Sequence, residues 1–519
     1  MGENFKFTRK INLIILIFYG IFIIFLLCGC QEEIEPDLEE PESPIPIQEL
    51  REEEEEEPDF PEWFALPYDP NSTLDPILCP DGMQRVAASL IYEGLFKLNE
   101  NLEPVNWLCE SYDRNGDCSM YTFILREGVL FSDGSPLTAA DVRNSLERAR
   151  DSDRYRRRLR QIAWIYVENN NMLTIGLNES NSGFPALLDI PISRKIGNVP
   201  LGTGPYSYLW EEYGSWLVSN PYWWTGGNRP VERIRLDESQ GAMLYRFSSR
   251  DVHLIEMNLI GGDDTPAGLT GNIKYQDAPD TVLHYLACNS NSEIMQNEAF
   301  RRALFIGINR ENLVSAFLSG HAIAAQFPIS PVCDLYPADM ESAYSPFTFA
   351  SALSESGYEP GRNLILLVNA ENSFKISMAK SIAENFTNLG VPMEVKILPW
   401  DDYQAALYGN NYDLCYCEAK LTADWNLWPL LGGGNLNIGG WWDGWLLGQM
   451  ETFAASNDRM SAMRDLCEAI KTQAIILPIC FNNMSVLTCA DVIENLNPTV
   501  TEPFYNLSEC VIHTKTPEA

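Results

Sequence analysis

The sequence predicts an α/β protein of two lobes, on three observations. Its 519 residues, 45% apolar and 11% aromatic, are too many for one hydrophobic core and suit two or three domains. Between Leu364 and Tyr416 the pattern reads β-α-β-α-β, which requires parallel strands joined by right-handed crossovers. After a core helix marked by Met460, Met463, Cys467, Ile470 and Ala474, the segment Ile475–Phe481 reads as a strand returning toward the first lobe. Such a return makes two crossings between lobes, the requirement for a hinge.

At the N-terminus, Lys6, Arg9 and Lys10 precede Ile11 to Leu27, which is apolar apart from Asn12, Tyr19 and Gly20, and Leu27-Cys28-Gly29-Cys30 follows. This pattern is that of a lipoprotein export signal (1–29) with Cys30 as the acylated residue; the other reading is an uncleaved membrane anchor. From Gln31 to Asp59 there are 15 acidic residues against one Arg, with almost nothing to bury, so 30–60 reads as a disordered tether. About 14 of the 36 net negative charges belong to it, and the folded body is still strongly acidic, which argues against nucleic acid as a partner.

Beyond Cys28 and Cys30 the chain has eleven cysteines, with no paired metal spacing. Apolar neighbours, as in Ile479-Cys480-Phe481, mark them as small buried side chains, with one or two disulfides as an open alternative. Cys415-Tyr416-Cys417 is the one close pair, read as packing rather than as a metal site.

In the first part of the folded chain, Ala65 to Asp75 reads as a short strand followed by a turn. Val86 to Leu98 reads as a helix broken at Gly94. Asn115-Gly116 signals a hairpin, Tyr121, Phe123 and Leu125 alternate as in a half-buried strand, and Asp133-Gly134-Ser135-Pro136 is a turn. Thr138 and Asp141 form a capping box ahead of the stripe Val142, Leu146 and Ala149. Arg154, Arg156, Arg157, Arg158 and Arg160 read as a solvated helix face, with an anion site as the other reading.

Several of these stretches carry a resemblance. Tyr-Thr-Phe-Ile-Leu-Arg followed by Phe-Ser-Asp-Gly-Ser-Pro-Leu-Thr-Ala-Ala-Asp-Val142 is similar to the signature of the family 5 extracellular solute-binding proteins, receptors of ABC importers for peptides or nickel. So are Leu90-Ile-Tyr-Glu-Gly-Leu95, Gly202-Thr-Gly-Pro-Tyr206, Asn220-Pro-Tyr-Trp-Trp224, Phe300-Arg-Arg-Ala303 and Ile308-Asn-Arg310, over roughly Phe64 to Leu507. The resemblance implies a periplasmic-binding-protein-like type II fold. Lobe I would be 61–76, 197–280 and 482–519, with an extra subdomain inserted at 77–196, and lobe II would be 281–481. It also implies a monomer on the outer face of the cytoplasmic membrane, lipid-anchored and serving a permease with its ATPase subunits.

Ligands of open parallel sheets bind beyond the carboxyl ends of the strands, which here is Glu418 to Pro429. Ala423-Asp-Trp-Asn-Leu-Trp-Pro429 resembles the family segment whose Asp pairs with a peptide's α-ammonium, with Trp425 where the family has Tyr. The expected ligand-binding residues are therefore Asp424, Trp425, Trp428, Trp441, Trp442 and Asn289. No cofactor or structural metal is expected. The rival within the family is a nickel or metal-chelate receptor using a histidine. A cell-surface hydrolase or adhesin is the rival from another class, but neither G-x-S-x-G nor H-E-x-x-H occurs.

Overall fold

The computed structural model describes residues 60–515, apart from 81, 198, 240, 261–271 and 319; the expected export signal, Cys30 and the expected acidic tether lie outside the described residues. Ala65–Pro67, Arg233–Asp237, Gly214–Ser219 and Tyr206–Glu211 form, in that spatial order, a four-stranded sheet. A second four-stranded sheet, antiparallel, runs Cys109–Arg114, Met120–Leu125, Met172–Leu177, Ile162–Asn169. The helix Ala139–Asp151 lies with this sheet and begins at the expected box, in which Thr138 and Asp141 satisfy each other's backbone N–H groups. Its Val142, Leu146 and Ala149 join Tyr121, Phe123 and Leu125 in one apolar core.

Three of the family-like stretches meet at one buried carboxylate. Glu93 Oε1 accepts from Trp107 Nε1 at 2.9 Å and Trp223 Nε1 at 3.1 Å. Its Oε2 accepts from Trp224 Nε1 at 3.0 Å and Thr203 Oγ1 at 2.7 Å. A buried carboxylate is tolerated when its oxygens are this fully hydrogen-bonded. Gly202 and Gly204 allow the approach, since a Cβ at either would lie 2.0 and 2.7 Å from the Ile91 carbonyl oxygen. Around this knot the helix is shorter than its apolar pattern suggests. It spans Met83–Ser89, and Phe96–Leu98 is a strand paired with Pro104–Asn106, because the chain turns where Gly94 packs against the Asp189 backbone.

A seven-stranded sheet joins the remaining parts, in the order Leu254–Met257, Ile476–Cys489, Ile273–Cys288, Leu414–Lys420, Leu364–Asn369, Met393–Leu398, with Ala322–Ala324 also on Ile476–Cys489. The predicted β-α-β-α-β is present: Leu364–Asn369 lies parallel to both Met393–Leu398 and Leu414–Lys420, and the helices Ser373–Asn388 and Trp400–Tyr408 are the crossovers. Leu367, Cys415 and Cys417 face one core, while Leu366, Val368, Leu414 and Tyr416 face another, as the two-residue period of a strand requires.

The two long antiparallel strands are the crossings. Ile273–Pro279 pairs with Asn483–Cys489, the register breaks between Pro279 and Leu283, and Leu283–Ala287 then pairs with Ile476–Phe481. Val486, Leu487 and Cys489 belong to the core of the N-terminal sheet, whereas Ile476 and Phe481 belong to that of the β-α-β region. One strand thus serves two cores, with the irregularity between them.

All eleven described cysteines are buried, so packing is their role in the fold. Met460, expected on the core face of its helix (Arg459–Gln473), is 41% exposed, because the buried face begins at Ala462 and Met463. Among the described residues no helix is long and apolar enough to cross a membrane.

Candidate functional site

A cavity of about 1460 Å³ lies between three walls, larger than the about 300–1,000 Å³ of ordinary small-molecule sites. The first wall includes Arg85, Tyr92, Glu256 and Glu502, the second Arg157, Arg158 and Asp189 of the inserted segment, and the third Lys420, Asp424, Asn426 and Trp428. Asp280 and Thr281, at the register break of the crossing strands, lie on the same surface.

Asp424 stands just past the strand Leu414–Lys420 and is only 2% exposed. Asn181 Nδ2 donates to its Oδ2 at 2.8 Å, and Thr422 Oγ1 and the Asn426 N–H (3.4 Å) donate to its Oδ1. Asn181 belongs to the inserted segment, so this bond joins two walls directly. The same junction continues at Ser182, whose N–H donates to the Ala454 carbonyl at 2.7 Å and whose Oγ donates to that of Phe453 at 3.0 Å. These carbonyls belong to the last turn of the helix Gly444–Ala455, where that of Phe453 also accepts from the Ser456 N–H. Arg459 Nη2 donates to the Asp424 carbonyl at 2.7 Å, and a Cβ at Gly183 would lie 2.7 Å from that same nitrogen. Only glycine fits there.

Several charges on the walls are paired. Arg85 binds Glu256 and the carbonyls of Val500 and Thr501, Lys97 Nζ lies 2.6 Å from Glu502 beside the cavity, and Arg158 binds Asp189. Burial pushes the Arg158 guanidinium down to about 10, with Tyr155 and Asp424 acting in the opposite direction.

The six expected ligand-binding residues divide. Asp424 and Trp428 line the cavity. Trp442, 66% exposed, stacks edge-on against Trp428 at 6.2 Å without lining the cavity. Trp425 points the other way, into the core, 1% exposed and edge-on to Phe481 at 6.0 Å. Its left-handed backbone (φ 58°) is what turns the side chain of 424 and that of 425 to different environments. Trp441 is held by the Cys288 carbonyl at 2.7 Å and by the Arg301 guanidinium 4.3 Å from its ring. Asn289 is buried and donates to the Tyr412 carbonyl at 2.8 Å, an internal tie. The sequence reading also missed cavity residues. Arg154, Arg157, Arg158 and Arg160 all line the cavity, because the helix ends at Asp151 and a separate short turn, Arg156–Leu159, redirects them. Within that turn, buried Leu159 is the anchor, a signal that one apolar residue among five arginines did carry.

A two-lobed α/β chain with a pair of crossing strands and a cavity between its parts is a solute-binding architecture. The chain belongs to the bacterial extracellular solute-binding proteins, family 5, whose model matches residues 103–434. It is 25% identical over 441 residues to the glutathione-binding protein GsiB of Salmonella typhimurium, covering 77% of this chain and 81% of that one. In fold it is similar to the periplasmic murein tripeptide-binding protein MppA in its unliganded open form (TM-score 0.72, 19% identity, 86% of this chain and 96% of that chain). It is similar also to a nickel ABC transporter protein of Bacillus halodurans (TM-score 0.70, 20% identity, 87% and 98%).

Proposed function

We propose that this protein is the receptor of an ABC importer that closes two lobes over a short peptide and delivers it to a membrane permease and its ATPase subunits. It works as a monomer at the outer face of the cytoplasmic membrane, tethered by a lipid on Cys30, a residue outside those described. The observation that carries the reading is the Asp424 carboxylate, which lines the cavity at the junction of the inserted segment with the β-α-β region. Three donors reach its two oxygens, leaving one acceptor direction of about four for a ligand ammonium. Trp428, backed by Trp442, supplies an apolar face for a ligand side chain. The relatives named for glutathione and for a murein tripeptide support a ligand of tripeptide size.

The metal-chelate reading has less support. It needs a histidine at the cavity, yet His253 and His284 are buried in the cores, at 2% and 1% exposure, and neither His321 nor His513 lines it. Mass spectrometry of the small molecule that co-purifies from the source cell tests the proposal. A peptide is expected; a metal chelate with no peptide overturns it. Cys30→Ala should release the protein from the membrane, and an uncleaved, unacylated wild type retained there would make the segment a plain anchor.

A further inference from the structure

Seven carboxylates among the described residues are more than nine-tenths buried, and six of them have strong partners. Asp75, Asp141, Asp237 and Asp413 are ion-paired with Arg148, Arg194, Arg246 and Arg362. Glu93 accepts from four side-chain donors and Asp424 from three donors. Asp280 is the seventh. It is 5% exposed, no Lys, Arg or His nitrogen among the described residues lies within 4.0 Å of it, and its one hydrogen bond comes from the neighbouring Thr281 N–H to Oδ1 at 2.7 Å. Even the adjacent hydroxyl is turned away, since Thr281 Oγ1 donates to the Leu421 carbonyl at 2.8 Å. The other oxygen, Oδ2, is not sealed in protein but opens on the cavity that Asp280 lines. A carboxylate taken this far out of water is costly unless it is paired and hydrogen-bonded, so Asp280 is an acceptor waiting for a cation.

We infer that the solute is a basic peptide, and that Asp280 selects it by pairing with a Lys or Arg side chain. The inference rests on the peptide-receptor reading, in which Asp424 takes the amino end and a second carboxylate is left over. A charge-assisted bond to Oδ2 is of the strong kind, and it strengthens as the walls exclude water. A neutral side chain in the same place would leave the carboxylate buried and dry, and a site built around a polar group rejects an analogue that lacks its partner. Asp280 also lies in the register break between Pro279 and Leu283, so the cation is taken at the point where the crossing strands can bend.

The test offers the full-length protein tripeptides with free termini, in pairs that differ only in the charge of one side chain: arginine against citrulline and lysine against norleucine, placed in turn at each position. Binding is measured by calorimetry. Wild type should bind the cationic member of a pair about tenfold to a hundredfold more tightly at one position at least. Asp280→Asn keeps the oxygen that accepts from Thr281 and removes the charge. Its preference should collapse, while the citrulline and norleucine peptides bind as they do to wild type. Equal binding of both members at every position by wild type would overturn the inference, whether or not the variant folds, and would leave the peptide receptor intact. A preference that persists in Asp280→Asn assigns the cation to another carboxylate and overturns it too. Equal loss of cationic and neutral tripeptides in a folded Asp280→Asn would also overturn the side-chain assignment. Binding of no tripeptide at all would overturn the peptide reading and this subsite with it.

Discussion

Asn181 donates its side-chain N–H to Asp424 Oδ2 at 2.8 Å, so the carboxylate assigned to the ligand also holds the inserted segment against the β-α-β region. If Asp424 takes the ligand as proposed, capture is coupled to closure, because the carboxylate lies where the walls meet. Asn181→Ala removes a hydrogen bond to a charged acceptor, worth about 1.5–3 kcal/mol, so peptide affinity should drop about tenfold to a hundredfold. Binding calorimetry checks it, and unchanged affinity would show that the contact plays no part in the bound form.

Closure itself is measurable. The register break between Pro279 and Leu283 on the crossing strands is where the chain can bend without dismantling either core. Small-angle scattering with saturating ligand should show a smaller radius of gyration than without it. Identical profiles would sink the hinge.

Glu93 should be intolerant of even a conservative change. Three indole N–H groups and a hydroxyl converge on its two oxygens, and Glu93→Gln presents an NH₂ to at least one of those donors. The expected cost is about 1–3 kcal/mol for the donors left unpaired, read as a lowered denaturant midpoint with unchanged slope.

Asp413 gives a pH signature. It is 1% exposed and accepts from both Arg362 Nη atoms at 2.6 and 2.7 Å and from the Ile365 N–H at 2.8 Å. Burial alone would raise its carboxyl, but these bonds and that of Ser292 outweigh burial and hold it below the usual value. A lowered folded pKa means that its stabilisation is fully present above the unfolded value of about 3.9 and is lost as pH falls through the folded one. Asp413→Asn should therefore cost about 1.5–3 kcal/mol at pH 7, and the gap from wild type should close below about pH 4. A gap constant with pH would contradict the assignment.

Much of the fold was legible because it depends on local periodicity. The capping box at Thr138, the crossover helices and the returning strand are set by residues within one or two turns of each other. Motifs such as Gly202-Thr-Gly-Pro-Tyr206 and Asn220-Pro-Tyr-Trp-Trp224 were recognisable as words, but their physical reason, a shared bond to Glu93, is long-range and visible only in the folded chain. At the site, Asp424 could be found because it follows a parallel strand. Trp425 could not be told from a ligand contact, since one positive φ decides which way it points. The arginines went unread as cavity residues because Leu159, the one buried anchor among them, does not by itself show that the helix ends at Asp151 and the chain turns at Ser152.

The central claim is that Asp424 takes the amino end of a peptide. Calorimetry with one bound peptide in free and N-acetylated form, on wild type and Asp424→Asn, tests it most directly. Removing one partner of a buried charge pair costs about 3–5 kcal/mol, so wild type should prefer the free amine by roughly a hundredfold to several thousandfold, and Asp424→Asn should discriminate weakly. Equal binding of both forms by wild type would contradict it.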